Sequence, residues 1–389
     1  MDYEILLIMD KRKKIVIVAH KFNPHPDDDL VLYLNLCEFE DVLHICHSFP
    51  DAPDRCSFYA WYKNGSVFKQ IRTRDYRSWN EVFLYGKEFF FTFLWIWKSG
   101  IKWDAYIGMD GLCVCWGNIL RRLRFVRKTI FWAIDFVPNN RFPSRVKNWI
   151  YAKINNASYS HVDEMWDLSP RMIEAREEYL NIKKSDYHYH RVVPYGVWTK
   201  RIKKYSYEEC EKNTLVFMGH LLPKQGVQLV LQSMPQILFA FPDFRFKIIG
   251  TGSYKQSLMG LANDLGICIH CDFMGKIEDN RDLEKEIAKS CVAIAPYSKE
   301  LDNWTYYADP GKIKTYLACG VPVIMTDIPW NTQEIVEHQC GLVLKENEDD
   351  VVEKITWLFN PIHNQIYRNH AIDYAERFDY ETIFRKLIF

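Results

Sequence analysis

The chain has 389 residues, more than one hydrophobic core ordinarily serves, so two domains are the first expectation. With 48% hydrophobic and 26% charged residues it has an ordinary globular composition, which disfavours wholesale disorder and a multi-spanning membrane protein. Its 50 Lys+Arg against 50 Asp+Glu argue against a dedicated nucleic-acid binder.

The charge balance is not uniform: residues 1–197 carry 28 basic and 24 acidic side chains, and residues 198–389 carry 22 and 26. Aromatic residues reach 15%, an excess that suits core packing and surface contact. At the N-terminus, Asp2 and Glu4 break an apolar run too short for a signal-peptide core or a span, so a cytosolic location is expected. Strands are expected at 14–20, 42–47, 105–108 and 129–134, separated by helical stretches. Between the second and third lies an aromatic run, Phe89 to Trp97; with Arg121, Arg122, Arg124, Arg127 and Lys128 further on, it makes either a peripheral contact with anionic membrane or a buried helix beside a solvated basic face.

After a linker at 191–198, strands are expected at 214–219, 244–250, 291–296, 321–326 and 341–344, again alternating with helices. Regular alternation implies parallel sheets with right-handed crossovers. The expected architecture is therefore α/β: two doubly wound, Rossmann-like domains facing across a cleft, over 1–197 and 198–370. Residues 371–389 form two amphipathic helices, with Phe378, Tyr380, Phe384 and Leu387 on apolar faces, expected to pack back across the domains. The 11 cysteines are scattered, as for thiols in a reducing compartment. Cys268 and Cys271 have zinc-like spacing but no second ligand pair, and their segment reads as a strand, so no metal site is expected there.

In doubly wound sheets ligands bind at the carboxyl ends of strands, where helix N-termini point. Three turns of the second half qualify. Gly219 to Gly226 follows a strand and holds His220 and Lys224 between its glycines, which lets N–H groups and a cation approach phosphate. Gly250-Thr-Gly252-Ser253 permits a second tight turn. In Asp309-Pro-Gly311-Lys312, Asp309 is a good N-cap and Pro310 a good first helical residue. Lys312 and Lys314 then sit in the first turn, where the dipole disfavours cations unless an anion compensates. In the first half, Asp135 stands at a strand end as either a helix cap or a general base. Asp110 is a similar acid for which capping is favoured. His20 and the turn His25 to Asp29 leave the first strand, where the acids either cap a helix or hold acceptor hydroxyls.

With these residues in place, the segment from Leu215 to Leu344 resembles nucleotide-sugar glycosyltransferases of the GT-B fold, of the glycosyltransferase family 4 type (glycosyl transferases group 1). The turn at 219–226, the Gly-x-Gly at 250–252, the strand turn at 273–277 and the block 309–336 occur in that family's order. The resemblance implies a nucleoside-diphosphate sugar as donor, its diphosphate on Gly219, Gly311 and Lys312 and its base near Met274, Lys276 and Ile277. Glu334 matches the family's closing motif. Departures are His220 and Gln225 where the family has Arg and Lys, with Lys224 one place off. The family's glutamate pair is also missing, with Thr315 in the later slot and Tyr307 near the earlier one.

The first half resembles a subgroup associated with envelope polysaccharide assembly, through Trp132 to Pro138, Arg141-Phe142 and Trp166 to Met172. The expected activity is transfer of a sugar to a saccharide or lipid-linked acceptor at the cytosolic face of a membrane, with no metal required and no nucleic-acid partner. Family resemblance suggests retention at the anomeric carbon, and a base at Asp135 would suggest inversion. A nucleotide-sugar 2-epimerase and a non-catalytic saccharide-binding relative are the alternatives.

Overall fold

The computed structural model describes residues 10–20, 25–49, 52, 54–76, 78–137, 141–187, 189–301 and 305–387. The N-terminal apolar run and Pro138 lie outside the described residues. The chain divides into two units, one running to Pro194 and resuming at Ile383, the other spanning Tyr195–Thr382.

The first unit holds β1 (Lys14–His20), α1 (Pro26–Leu36), β2 (Asp41–His47), β3 (Ser57–Lys63), β4 (Ser66–Arg72), α2 (Glu81–Lys98), β5 (Trp103–Gly108), α3 (Gly111–Arg122), β6 (Val126–Ala133), α4 (Arg145–His161), β7 (Glu164–Asp167), α5 (Pro170–Leu180) and β8 (Tyr189–Val192). The sheet order is β4-β3-β2-β1-β5-β6-β7-β8. β1 and β2 are buried almost throughout, as parallel strands covered on both faces must be, which is why they read as unbroken apolar runs. β3 and β4 are an antiparallel hairpin absent from the expected strands. Its signal is the pair Asn64-Gly65, both at positive φ, the preference of a two-residue hairpin turn. Gly65 is required there, because a Cβ would meet the Asn35 carbonyl at 2.4 Å. β4 is exposed along its whole length and carries Lys69 and Arg72, as an edge strand that must not pair further.

Much of the aromatic excess is core. Trp103, Trp132 and Trp166 are fully buried, Trp95 stacks on Tyr59 and Phe91, and each such side chain is worth about 1.5–3 kcal/mol of burial.

The second unit holds β9 (Glu211–Met218), α6 (Val227–Ala240), β10 (Arg245–Ile249), α7 (Lys255–Asp264), β11 (Cys271–Gly275), α8 (Asn280–Ala288), β12 (Ser290–Ala295), α9 (Gly311–Ala318), β13 (Val323–Met325), α10 (Thr332–Glu337), β14 (Gly341–Val343), α11 (Glu348–Phe359) and α12 (Pro361–Ala375). Its strands are parallel in the order β11-β10-β9-β12-β13-β14. Cys268 lies in a short 3₁₀ turn ahead of β11, not in a strand, and the described cysteines are free thiols.

The C-terminal helix pair differs from expectation. α12 begins at Pro361, where Asn360 caps it, and α13 (Tyr380–Arg385) follows a 3₁₀ turn. Arg368 of α12 is buried and donates to the carbonyls of Ala288, Ser290 and Cys291, which ties the helix to the start of β12. Phe378 belongs to the second unit's core, whereas Phe384 packs on Tyr33 and Trp132 of the first.

Candidate functional site

Each sheet has one point where neighbouring strands lead away in opposite directions, and at such a point the following loops separate and leave a crevice. In the second unit it falls between β9 and β12. The loop after β9 carries Gly219, His220, Lys224 and Gly226, and the loop after β12 leads to α9. The two loops touch through Ser298 N–H donating to the Lys224 carbonyl, and Gly226, at φ +73°, brings its backbone against the Pro296 carbonyl. Gly219 N–H donates to Ile249 O and Gly250 N–H to Gly275 O, so the strand ends of β9, β10 and β11 stand in a row. A Cβ on Gly250 or Gly252 would strike the Gly219 or Leu221 carbonyl. The glycines thus let three turns close on one another.

Lys312, second residue of α9, reaches this row. Its Nζ lies 2.8 Å from where a Cβ on Gly219 would stand, donates to Gln225 Oε1 at 2.5 Å, and sits over the rings of Phe217 and Tyr297. No carboxylate pairs with it among the described residues. Desolvation, then the charge of Lys224, lowers its pKa to about 7. A cation held without a counter-ion beside free helix N–H groups is a place for an anion.

Several expected donor-site residues are otherwise occupied. Asp309 does not cap α9, whose N-cap is Pro310. It is buried, forms an ion pair with Lys314, and accepts from Tyr195 N–H and Trp330 Nε1. Lys314 is therefore a buried, neutralised lysine and not a second phosphate cation. Glu334 pairs with Arg377 and accepts from the Tyr374 hydroxyl, both in the C-terminal segment. Thr315 donates back to the Gly311 carbonyl, and Lys276 pairs with Glu278. Met274 is exposed at the end of β11, and Ile277 packs against the core. His220 is exposed.

In the first unit the strands diverge between β1 and β5. His20 is the last residue of β1, and Asp110 follows β5 as the N-cap of α3, accepting from Leu112 and Cys113 N–H through Oδ1. Asp110 Oδ2 lies 2.9 Å from His20 Nδ1, and Glu88 Oε2 of α2 lies 3.0 Å from His20 Nε2. Burial pushes the His20 ring toward neutrality, but Cys113 and the Asp110 carboxylate outweigh it and raise its pKa well above the usual range. Both ring nitrogens are engaged and the ring is buried, so His20 holds the Asp110 and Glu88 carboxylates in place. Asp110 is partly exposed, and so combines the cap with an acid at the switch point. His47 beside them is neutral: burial and the His20 charge push its pKa down, and Ser57 and Thr92 hydroxyls hold its two nitrogens.

Asp135 follows β6. It is half exposed and paired with Arg141 at 2.7 Å, a guanidinium that also donates to the Tyr151 hydroxyl. The acidic turn is not an acceptor clamp at Asp27, which is fully buried between His25 and His44.

The basic run 121–128 is partly neutralised by Asp163, Asp104 and Glu164. Exposed apolar side chains gather instead at the starts of α2 and α4, with Val82 and Phe83 on one and Val146 and Trp149 on the other. A Lys147–Glu81 ion pair joins the two helix starts. Among the described residues no helix is long and apolar enough to cross a membrane.

Residues 199–378 match the family model described as glycosyl transferases group 1. A GDP-mannose-dependent monoacylated alpha-(1-6)-phosphatidylinositol monomannoside mannosyltransferase of Corynebacterium glutamicum is 28% identical over 162 residues, 41% of this chain and 40% of that protein. A GDP-mannose-dependent alpha-(1-6)-phosphatidylinositol monomannoside mannosyltransferase of Mycolicibacterium smegmatis is 24% identical over 145 residues, 36% of this chain and 37% of that protein. The chain thus spans about 40% of the length of the curated relatives it matches. Among solved structures, a sucrose-phosphate synthase from Thermosynechococcus elongatus aligns with TM-score 0.70 at 16% identity, covering 96% of both chains. Anabaena Alr3699/HepE, solved in complex with UDP, aligns with TM-score 0.65 at 13% identity, covering 95% of this chain and 97% of that one. At these identities the likeness is one of fold, and the fold is GT-B.

Proposed function

We propose that this chain, whose residues 199–378 match the glycosyl transferases group 1 model, is a glycosyltransferase that moves a sugar from a nucleoside-diphosphate donor to a saccharide or lipid-linked acceptor in cell-envelope glycan assembly. The observation that carries the reading is Lys312, a lysine with no carboxylate partner among the described residues, at the start of α9 beside the Gly219 turn. As the glycosidic bond breaks, negative charge grows on the leaving diphosphate. The Gly311 and Lys312 N–H groups and the Lys312 ammonium meet that charge without reorganising, the largest electrostatic demand of the reaction.

In the first unit, Asp135 is the carboxylate assigned to the acceptor hydroxyl, with Arg141 as its present partner. Asp110, oriented by His20, is the acid at that unit's switch point. Lipid-linked acceptors are reached from the apolar starts of α2 and α4, where Arg145, Lys147 and Lys153 suit an anionic surface.

Curated relatives are named as GDP-mannose-dependent, so GDP-mannose is the first donor to test and UDP-sugars the second. Calorimetry with GDP and UDP is expected to show binding. Absence of binding at millimolar ligand removes the donor site and leaves a non-catalytic relative. Conversion of the donor without any acceptor, to an epimer, replaces transfer with epimerisation.

A further inference from the structure

A second polar cluster lies in the first unit, outside the proposed transfer machinery. His44 and Cys46 stand two residues apart on β2 and so share one face of the strand, opposite Leu43 and Ile45, which belong to the aromatic core. Asp27, in the first turn of α1, meets them. Asp27 Oδ2 lies 2.5 Å from His44 Nε2, His44 Nε2 lies 3.1 Å from Cys46 Sγ, and Cys46 Sγ lies 3.9 Å from Asp27 Oδ2. His25 Nδ1 bonds the other oxygen, Asp27 Oδ1. All four residues are nine-tenths buried or more, and His25 Nε2 is buried with no hydrogen-bond partner.

As a hydrogen-bond network this set is poorly matched. A single ring atom, His44 Nε2, faces both a carboxylate oxygen and a sulfur, yet an imidazole nitrogen has either one proton or one lone pair to offer. A cation between the three donors satisfies them together. The set of imidazole, thiolate and carboxylate is one that zinc takes readily, and full burial corresponds to a closed structural site rather than a catalytic one. Zinc–ligand lengths of about 2.0–2.3 Å at tetrahedral angles separate donors by roughly 3.3–3.8 Å. Side-chain adjustments of about 1 Å therefore open the present cluster to that size.

Among the described residues the other group of metal-capable side chains, His20, Asp110 and Cys113, is less suited to a closed structural site. There Asp110 is partly exposed, whereas all three donors of the Asp27 group are buried.

We propose that Asp27, His44 and Cys46 hold a structural zinc ion, with His25 bonded to the outer Asp27 oxygen and so fixing that carboxylate, and that the ion pins the first turn of α1 to β2. The site is separate from the donor-binding reading and does not depend on it.

The test begins with metal analysis of the purified full-length chain, where about one zinc per chain is expected. Replacement by Co²⁺ should give a thiolate-to-cobalt charge-transfer band that Cys46→Ser abolishes and that Cys113→Ser and Cys268→Ser/Cys271→Ser leave in place. Chelation should lower the Tm of the wild-type chain by on the order of 5 °C, restored by added zinc. His44→Ala should lose the zinc, and if it fails to fold, the wild-type stoichiometry and spectrum still decide. Zinc far below one per chain after exposure to excess metal, or a cobalt band that depends on Cys113 or Cys268 instead of Cys46, overturns the proposal.

Discussion

At the scale of single residues, the side chains that matter are those whose partners are incomplete. Lys312 is held by Gln225 and aromatic faces, not by a carboxylate, among the described residues. Lys312→Ala is expected to weaken nucleoside diphosphate binding roughly 10- to 100-fold, the worth of one charge-assisted hydrogen bond. Calorimetry checks it, and unchanged affinity removes Lys312 from the donor site.

Its titration sets a pH dependence. With a pKa near 7, Lys312 loses its charge above neutrality, so diphosphate affinity should fall between about pH 7 and pH 9. The same depression affects stability. Between about 7 and the ordinary lysine value near 10.5 the unfolded chain binds the proton and the folded one does not, so this group's contribution to stability rises with pH through that window. Lys312→Met should flatten that rise, as read from denaturation midpoints at pH 7 and pH 9. Asp135→Asn should abolish transfer while leaving nucleotide affinity intact. Near-normal turnover in that variant withdraws the general-base role.

These residues also mark what could be read in advance. The positions of Lys312 and Asp135 were legible, because a lysine two residues into a helix and an acid after a strand end are local patterns. The fate of Lys314 was not, since its neutralisation depends on Asp309 being buried with it and on Trp330 and Tyr195 completing the carboxylate's shell. His20 and Asp110 are 90 residues apart in the chain and meet only because β1 and β5 are neighbours.

At the scale of elements, glycine turns and buried clamps hold the second unit's switch point. Gly226 has φ +73°, and a Cβ there would lie 1.6 Å from the Pro296 carbonyl oxygen. Gly226→Ala must push the two crevice loops apart, and a loss of about 3 kcal/mol or more is expected in chemical denaturation, together with weaker nucleotide binding. Arg368→Ala should cost about 3 kcal/mol, because it removes a buried donor from the Ala288 and Ser290 carbonyls and leaves Cys291 O with Asn364 Nδ2 alone. Parallel strands were readable as apolar runs. The β3–β4 hairpin was passed over although Asn64-Gly65 announces it, and the exposed β4 offers no apolar periodicity to find.

At the scale of the whole molecule, the neutral net charge resolves into a basic first half and an acidic second half. The basic half carries the exposed apolar starts of α2 and α4. Flotation with vesicles containing anionic lipid should recover the chain, neutral vesicles should not, and Phe83→Glu with Trp149→Glu should reduce recovery several-fold. Equal recovery on both vesicle types, or none, removes the membrane face.

The sequence by itself determined the alternation of strand and helix, the two-unit plan and the family likeness of the second unit. Those follow from local periodicity, turn residues and motif order, which do not depend on distant contacts. Tertiary structure decided which charges stay available. It placed His20 between two carboxylates, gave Arg141 to Asp135, took Asp309 and Lys314 out of the donor site, and gathered His25, Asp27, His44 and Cys46 into one buried cluster. A charge's role depends on desolvation and on partners within a few ångströms, and chain order alone does not encode either.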